Sequence, residues 1–299
     1  MPEEALRAAP PEVIANLGGP VLPSSAGPRT CRLCGVNAPL SREHLPPKSA
    51  GNKGQYITHG LEAWFTRDSL DDSSGGTPGQ GGVWGYTLCK DCNNRTGRYA
   101  TEYRGWAARA EQLLRDEMAD SPETIDRSLT TKCLGVKFTK VDPGSFIRQV
   151  LSMMCSLSAG WDLAGRHPEL RSIVLDAQPG ELPAGMRLGM GFFPSSQSRT
   201  AGPYLNVDRD TRAWHWGLEL AFPPFVLHMV LAEGGKNDFP LCDISTLSTL
   251  PPGRRCAIEL EVIVAFGHTP YPTDYRTRAQ IENGLTLYGP ADSQRHAAS

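Results

Sequence analysis

An excess of charge of one sign is missing from this 299-residue sequence: 30 Lys and Arg stand against 32 Asp and Glu, a formal net charge of −2. That excludes a globally basic nucleic-acid coat, so any anion site must be a local patch. No stretch approaches the roughly 18 consecutive apolar residues of a membrane helix, and no membrane partner is expected. A basic start followed by an apolar run is also lacking, so no secretory leader is read and the expected setting is a reducing cytoplasm. There, paired cysteines bind metal or do chemistry more often than they bridge. No repeat of solenoid or propeller length is present. Apolar residues are few, at 39%, yet sufficient for a core, whereas 31 glycines and 25 prolines announce long loops and loose tails.

Residues 1–28 read as a disordered tail, with prolines at 2, 10, 11, 20, 23 and 28 and one short helical stretch at 11–17. Residues 67–82, with Asp68, Asp71, Asp72 and five glycines, read as a solvated loop. Helical spacing of Ala100, Tyr103, Ala107, Ala110 and Leu114 predicts a helix over 97–118. Asp142-Pro143 is a cap followed by proline in the first turn, opening a second helix with a broad apolar face (Phe146, Ile147, Val150, Leu151, Met154, Leu157). Period-two alternation predicts strands at 213–222 and 257–266, each with one buried face, and further strands at 134–139, 186–193 and 285–288. The apolar run 225–232 fits either a buried strand or a short helix. The fold class is therefore α+β, with residues 125–299 differing in character from a cysteine-rich front.

Three motifs in that front carry the chemistry: Cys31-Arg-Leu-Cys34-Gly35, Arg42-Glu43-His44-Leu-Pro46-Pro47-Lys48, and Cys89-Lys-Asp-Cys92-Asn93-Asn94-Arg95-Thr96-Gly97. Two C-x-x-C knuckles supply the four thiolates of a tetrahedral structural zinc site. Glu43 and His44 place a carboxylate beside an imidazole, although neighbours on a strand point to opposite faces unless the backbone bends. Asn93 suits either a helix cap or a hard-metal ligand.

In combination these motifs resemble the HNH endonuclease superfamily over residues 29–118: C-x-x-C, then acid-His-x-x-Pro, then C-x-x-C-Asn. The resemblance implies a zinc-stapled ββα-metal module followed by a mixed α+β domain of unknown type at 125–299. It also implies roles: His44 as general base, Glu43 and Asn93 as ligands of a catalytic Mg²⁺ or Mn²⁺, and Cys31, Cys34, Cys89 and Cys92 on structural Zn²⁺. Three departures stand out. Glu replaces the commoner Asp. The central Asn of the family name has no clear counterpart before Leu88, so the sequence does not name the group that orients His44. The hairpin is expanded by a loop at 49–83, which long loops permit at small entropic cost.

The expected activity is metal-dependent hydrolysis of DNA phosphodiesters, leaving 5′-phosphate and 3′-hydroxyl by family resemblance. Arg42, Lys48, Arg95 and Arg98 are the phosphate-contacting candidates on a cationic rim. Two other readings stay open: a catalytically inactive zinc-stapled nucleic-acid-binding module, and a nuclease effector gated by a C-terminal sensor with an unknown regulator. A homodimer suits the antiparallel strands of a duplex. His59, His215, His228 and His268 read as packed or exposed side chains, Trp214 and Trp216 as core, and Cys133, Cys155, Cys242 and Cys256 as reduced thiols outside any metal spacing.

Overall fold

The computed structural model describes residues 21–59, 76–120, 133–195, 197–207, 214–231 and 241–265. The expected helix at 11–17, the strand at 285–288 and His268 lie outside the described residues.

The first knuckle is the turn between β1 (Pro28–Thr30) and β2 (Asn37–His44), closed by Cys31 N–H to Val36 O and Gly35 N–H to Cys31 O, both 2.9 Å. Gly35 takes φ +77°, the left-handed conformation a side chain resists. The other edge of β2 pairs antiparallel with β5 (Trp84–Cys89), from Leu40↔Cys89 to His44↔Trp84, with a register shift between Ser41 and Arg42. Strand β5 runs directly into α1 (Lys90–Gly97), and α2 (Ala100–Asp120) follows. The helix expected at 97–118 is α2, and α1 is a separate short helix ahead of it. Thr96 Oγ1 bonds the Cys92 and Asn93 carbonyls and Gly97 ends the turn, which separates them. Asn93 lies inside α1, so it is not the helix cap.

Part of the expected solvated loop is a ribbon, β3 (Tyr56–Thr58) paired with β4 (Thr77–Gly79), in which the Tyr56 ring lies against Gly79. After α2 come β6 (Cys133–Val141) and α3 (Pro143–Leu157). Asp142 caps α3, accepting from Ser145 N, and every residue of α3 except Ser145 is buried. The apolar face expected of this helix is an underestimate because α3 has packing partners all round. Two short helices, α4 (Leu163–Arg166) and α5 (Pro168–Val174), precede a sheet of β7 (Met186–Phe192), β8 (Arg199–Val207), β9 (Trp214–Phe222), β10 (Phe225–Leu231) and β11 (Cys242–Asp243). Its order is β11-β7-β10-β9-β8, antiparallel throughout. Strand β12 (Cys256–Ile263) returns to pair with β6.

The apolar run at 225–232 resolves as strand β10. Strand β9 differs from expectation: Trp216, Leu218 and Leu220 are buried, and so are Glu219 and Ala221 on the other face. A central strand is covered on both sides, so alternation in β9 marks two environments and not core against water. The side chain of Trp214 lies outside the described residues.

One apolar cluster runs from the knuckles through α2 and α3 to the C-terminal sheet. Trp106 of α2 stacks between Phe138 of β6 and Phe146 of α3, at centroid separations of 4.5 and 4.0 Å. The described residues of segment 29–118 and those from 133 to 265 therefore share a core built around α3.

Candidate functional site

The two cysteine knuckles come together as spacing predicts. Cys31, Cys34, Cys89 and Cys92 place their sulfurs within 4.8 Å of one another. Tetrahedral zinc with Zn–S of about 2.3 Å needs sulfurs about 3.8 Å apart, and Cys34 and Cys89 stand at 3.9 Å. The set is positioned to hold a metal ion and is compatible with structural zinc. The Cys31 thiol is held well below its usual range by the hydrogen bond from Cys92 and by backbone amides, among them the Cys89 N–H at 3.3 Å. Among the described residues, no other group of three or more His, Cys, Asp or Glu side chains converges in this way. Cys133, Cys155, Cys242 and Cys256 are free thiols.

His44 ends β2 half-buried. Its Nε2 lies 3.0 Å from Gly81 O. A carbonyl only accepts, so Nε2 carries the proton and the neutral ring keeps its lone pair on Nδ1. Burial, then the positive charges of Arg42 and Lys48, lower the His44 pKa, while the Gly81 hydrogen bond opposes this. The orienting group absent from the sequence reading is thus a main-chain carbonyl in the expanded loop. What holds that loop is Asn52, 1% exposed: Nδ2 donates to Pro46 O (2.6 Å) and Val83 O (2.8 Å), and Oδ1 accepts from Val83 N (2.6 Å). Gly82, at φ +85°, lies against Asn52, where a Cβ would approach the Asn52 carbonyl oxygen to 2.2 Å. There is thus an asparagine before Leu88 with a defined role. Its only sequence signal was Gly51-Asn52 shortly after the Pro-Pro-Lys segment.

Asn93 faces β2 from α1. Its Nδ2 donates to Ser41 Oγ (3.0 Å) and Arg42 O (2.9 Å), which engages both amide hydrogens and leaves Oδ1 for another partner. Glu43 departs from the expected site. The carboxylate is 5% exposed, and its Oε2 accepts from Thr87 Oγ1 (2.6 Å) and Ser156 Oγ (2.7 Å). Burial pushes its pKa up to about 7, against the two hydroxyl hydrogen bonds. Strand alternation turns Glu43 inward and His44 toward Gly81. Of the donors expected for Mg²⁺ or Mn²⁺, Asn93 Oδ1 sits at the contact of α1 with β2, whereas Glu43 Oε2 is engaged by two hydroxyls in the interior.

The cationic rim is smaller than expected. Arg42 is exposed and lies 4.0 Å over the Trp84 ring, and Lys48 is exposed at the start of a short 3₁₀ turn. Both flank His44. Arg95 and Arg98 instead donate to Leu175 O (2.7 and 3.2 Å), Arg95 also pairs with Asp176, and Arg98 contacts Tyr99 Oη. They clasp the α1 region to the end of α5, because carbonyls there lack helical partners, so each spends part of its guanidinium on a structural tie.

A second polar group was not read from the sequence. Tyr204 Oη bonds His228 Nε2, and Arg199 pairs with Glu219 at 2.5 Å, with Glu219 and His228 essentially fully buried. Gly217 permits this: a Cβ there would meet Tyr204 Oη at 2.5 Å and His228 Nε2 at 3.0 Å.

Comparison of the chain with known protein families, with curated proteins and with solved structures returned no match.

Proposed function

We infer that the module built from β1, β2, β5 and α1 is the catalytic part of an HNH-type nuclease that hydrolyses DNA phosphodiester bonds, with His44 as general base. The observation that carries this reading is the hydrogen bond from His44 Nε2 to Gly81 O. It presents Nδ1 as an acceptor in a ring whose depressed pKa keeps it neutral near pH 7, the state a general base requires. Water gives its proton to Nδ1 as its oxygen bonds phosphorus, the P–O3′ bond breaks, and the leaving O3′ takes a proton from solvent water, leaving 5′-phosphate and 3′-hydroxyl. Arg42 and Lys48 supply positive charge for the phosphate backbone, a contact that positions without reading sequence. Zinc on the four cysteines would hold β2 against α1 and so fix the spacing of His44 and Asn93, taking no part in bond breaking. Because Glu43 is buried and its Oε2 is engaged by Thr87 and Ser156, no step is assigned to a divalent catalytic ion.

That burial favours a second reading, a zinc-stapled module that binds nucleic acid without cutting it. Incubation with supercoiled plasmid and Mg²⁺ or Mn²⁺ separates the two. The nuclease reading expects nicking or linearisation by the wild type, abolished in His44→Ala and strongly reduced in Asn93→Ala. Cleavage that survives His44→Ala refutes the assignment of the base. Binding without cleavage, whatever the metal, supports the second reading.

A further inference from the structure

We propose that Glu43 is a positioning residue that clamps the His44 strand to α3, and not a ligand of a catalytic ion. The proposal rests on the nuclease reading only for what the clamp positions. The register shift in β2–β5 pairs Ser41 with Leu88 but Arg42 with Tyr86, which leaves Thr87 as the extra residue on β5. Its hydroxyl closes on Glu43 Oε2. The second donor to the same oxygen, Ser156, is 113 residues away in sequence, in the last turn of the buried helix α3. The Ser156 carbonyl also accepts from Arg32 Nη1 in the first knuckle, and Arg32 Nη1 reaches Val21 O at 2.8 Å. The zinc knuckle and the Glu-His strand therefore converge on one residue of α3, the helix around which the C-terminal half packs.

Metal ligation makes different demands. A ligand carboxylate must turn an oxygen toward the ion and share a site with Asn93 Oδ1. Glu43 holds two hydroxyl donors and lies in the interior, while Asn93 is anchored to Ser41 and Arg42. Through the clamp, the placement of His44 depends on α3, giving the C-terminal half a direct mechanical hold on the site.

The test uses full-length, zinc-loaded Glu43→Gln, Ser156→Ala, Thr87→Val and Thr87→Ser. Mn²⁺ binding is measured by EPR, the His44 ring by NMR, and cleavage kinetics alongside. Glutamine keeps an acceptor oxygen for both hydroxyls, so Glu43→Gln is expected to retain wild-type Mn²⁺ affinity. Ser156→Ala and Thr87→Val are expected to shift the His44 ring resonances and lower kcat with unchanged Mn²⁺ half-saturation, and Thr87→Ser to restore both. A fall in Mn²⁺ affinity of more than about tenfold in Glu43→Gln, with the His44 ring undisturbed in Ser156→Ala and Thr87→Val, overturns the proposal. Ring shifts and Mn²⁺ binding decide the clamp even for a protein that cuts nothing, so failure of the nuclease reading is distinguishable. If Ser156→Ala does not fold, the two Thr87 variants carry the same comparison.

Discussion

Removal of the knuckle metal is the sharpest perturbation. Four sulfurs lie within 4.8 Å, with Cys31 and Cys92 at 0% and 1% exposure, and the Cys89 N–H already points at Cys31 Sγ. Without an ion, several thiols must keep protons that crowd one another in an apolar setting. Structural zinc contributes about 10–16 kcal/mol in small zinc modules, while whole domains are stable by about 5–15 kcal/mol. The knuckle residues share their core with α2 and α3, so the loss is spread through a body that keeps other contacts. Even a net loss of about 4 kcal/mol lowers the melting temperature by roughly 6 °C, at an unfolding entropy of about 2.1 cal/mol/K per residue over 299 residues. The assay is elemental analysis of the purified protein, expecting about one zinc per chain, followed by calorimetry with and without a strong chelator, and on Cys89→Ser. Metal-free protein melting at the same temperature as chelator-free protein would falsify the assignment of these cysteines as a structural zinc site.

Three further outcomes follow from particular contacts. Asn52→Ala strands Val83 N and the Pro46 and Val83 carbonyls, costing about 2–3 kcal/mol in urea unfolding; by releasing Gly81 it also reduces cleavage toward that of His44→Ala, and full activity would show that the loop does not orient the ring. Arg148, 0% exposed, donates only to carbonyls, those of Ile173, Gly144, Leu250, Ala177 and Gln178. Arg148→Met should lower the unfolding free energy by about 3–5 kcal/mol, and a change within error would refute that accounting. Burial, then the charges of His215 and Arg199, depress the His228 pKa to about 3. The unfolded chain takes up that proton first, near pH 6.5, so the stability His228 confers is intact above pH 6.5 and is lost as pH falls toward 3. Tyr204, His215, Arg199 and Glu219 remain in place in His228→Gln. The wild type should therefore lose about 2 kcal/mol relative to this variant between pH 7 and pH 5, and parallel urea profiles at the two pH values count against it.

Much of the local architecture was legible because its cause is local. Asp142-Pro143 caps α3 where expected, since a carboxylate acceptor and a fixed proline φ act within one turn. Leu134, Val136 and Phe138 face inward on β6 while Glu259 and Glu261 face outward on β12, as period-two alternation requires. Misreadings arose where a distant partner decides. The alternation in β9 looked like one wet face, but Glu219 and His228 are buried against Arg199 and Tyr204. Arg95 and Arg98 resembled a phosphate rim, yet their partners are carbonyls at the end of α5.

The same division holds at the candidate site. Sequence by itself determined the two cysteine knuckles, because two thiolates held by one tight turn need only their spacing, and the order of the knuckles, His44 and Asn93 along the chain. Tertiary structure alone decided that Gly81 orients His44 from 37 residues away and that Glu43 turns inward to meet Ser156. A carboxylate accepts a hydroxyl proton as readily as it binds an ion, so which it does depends on the helix packed behind the strand.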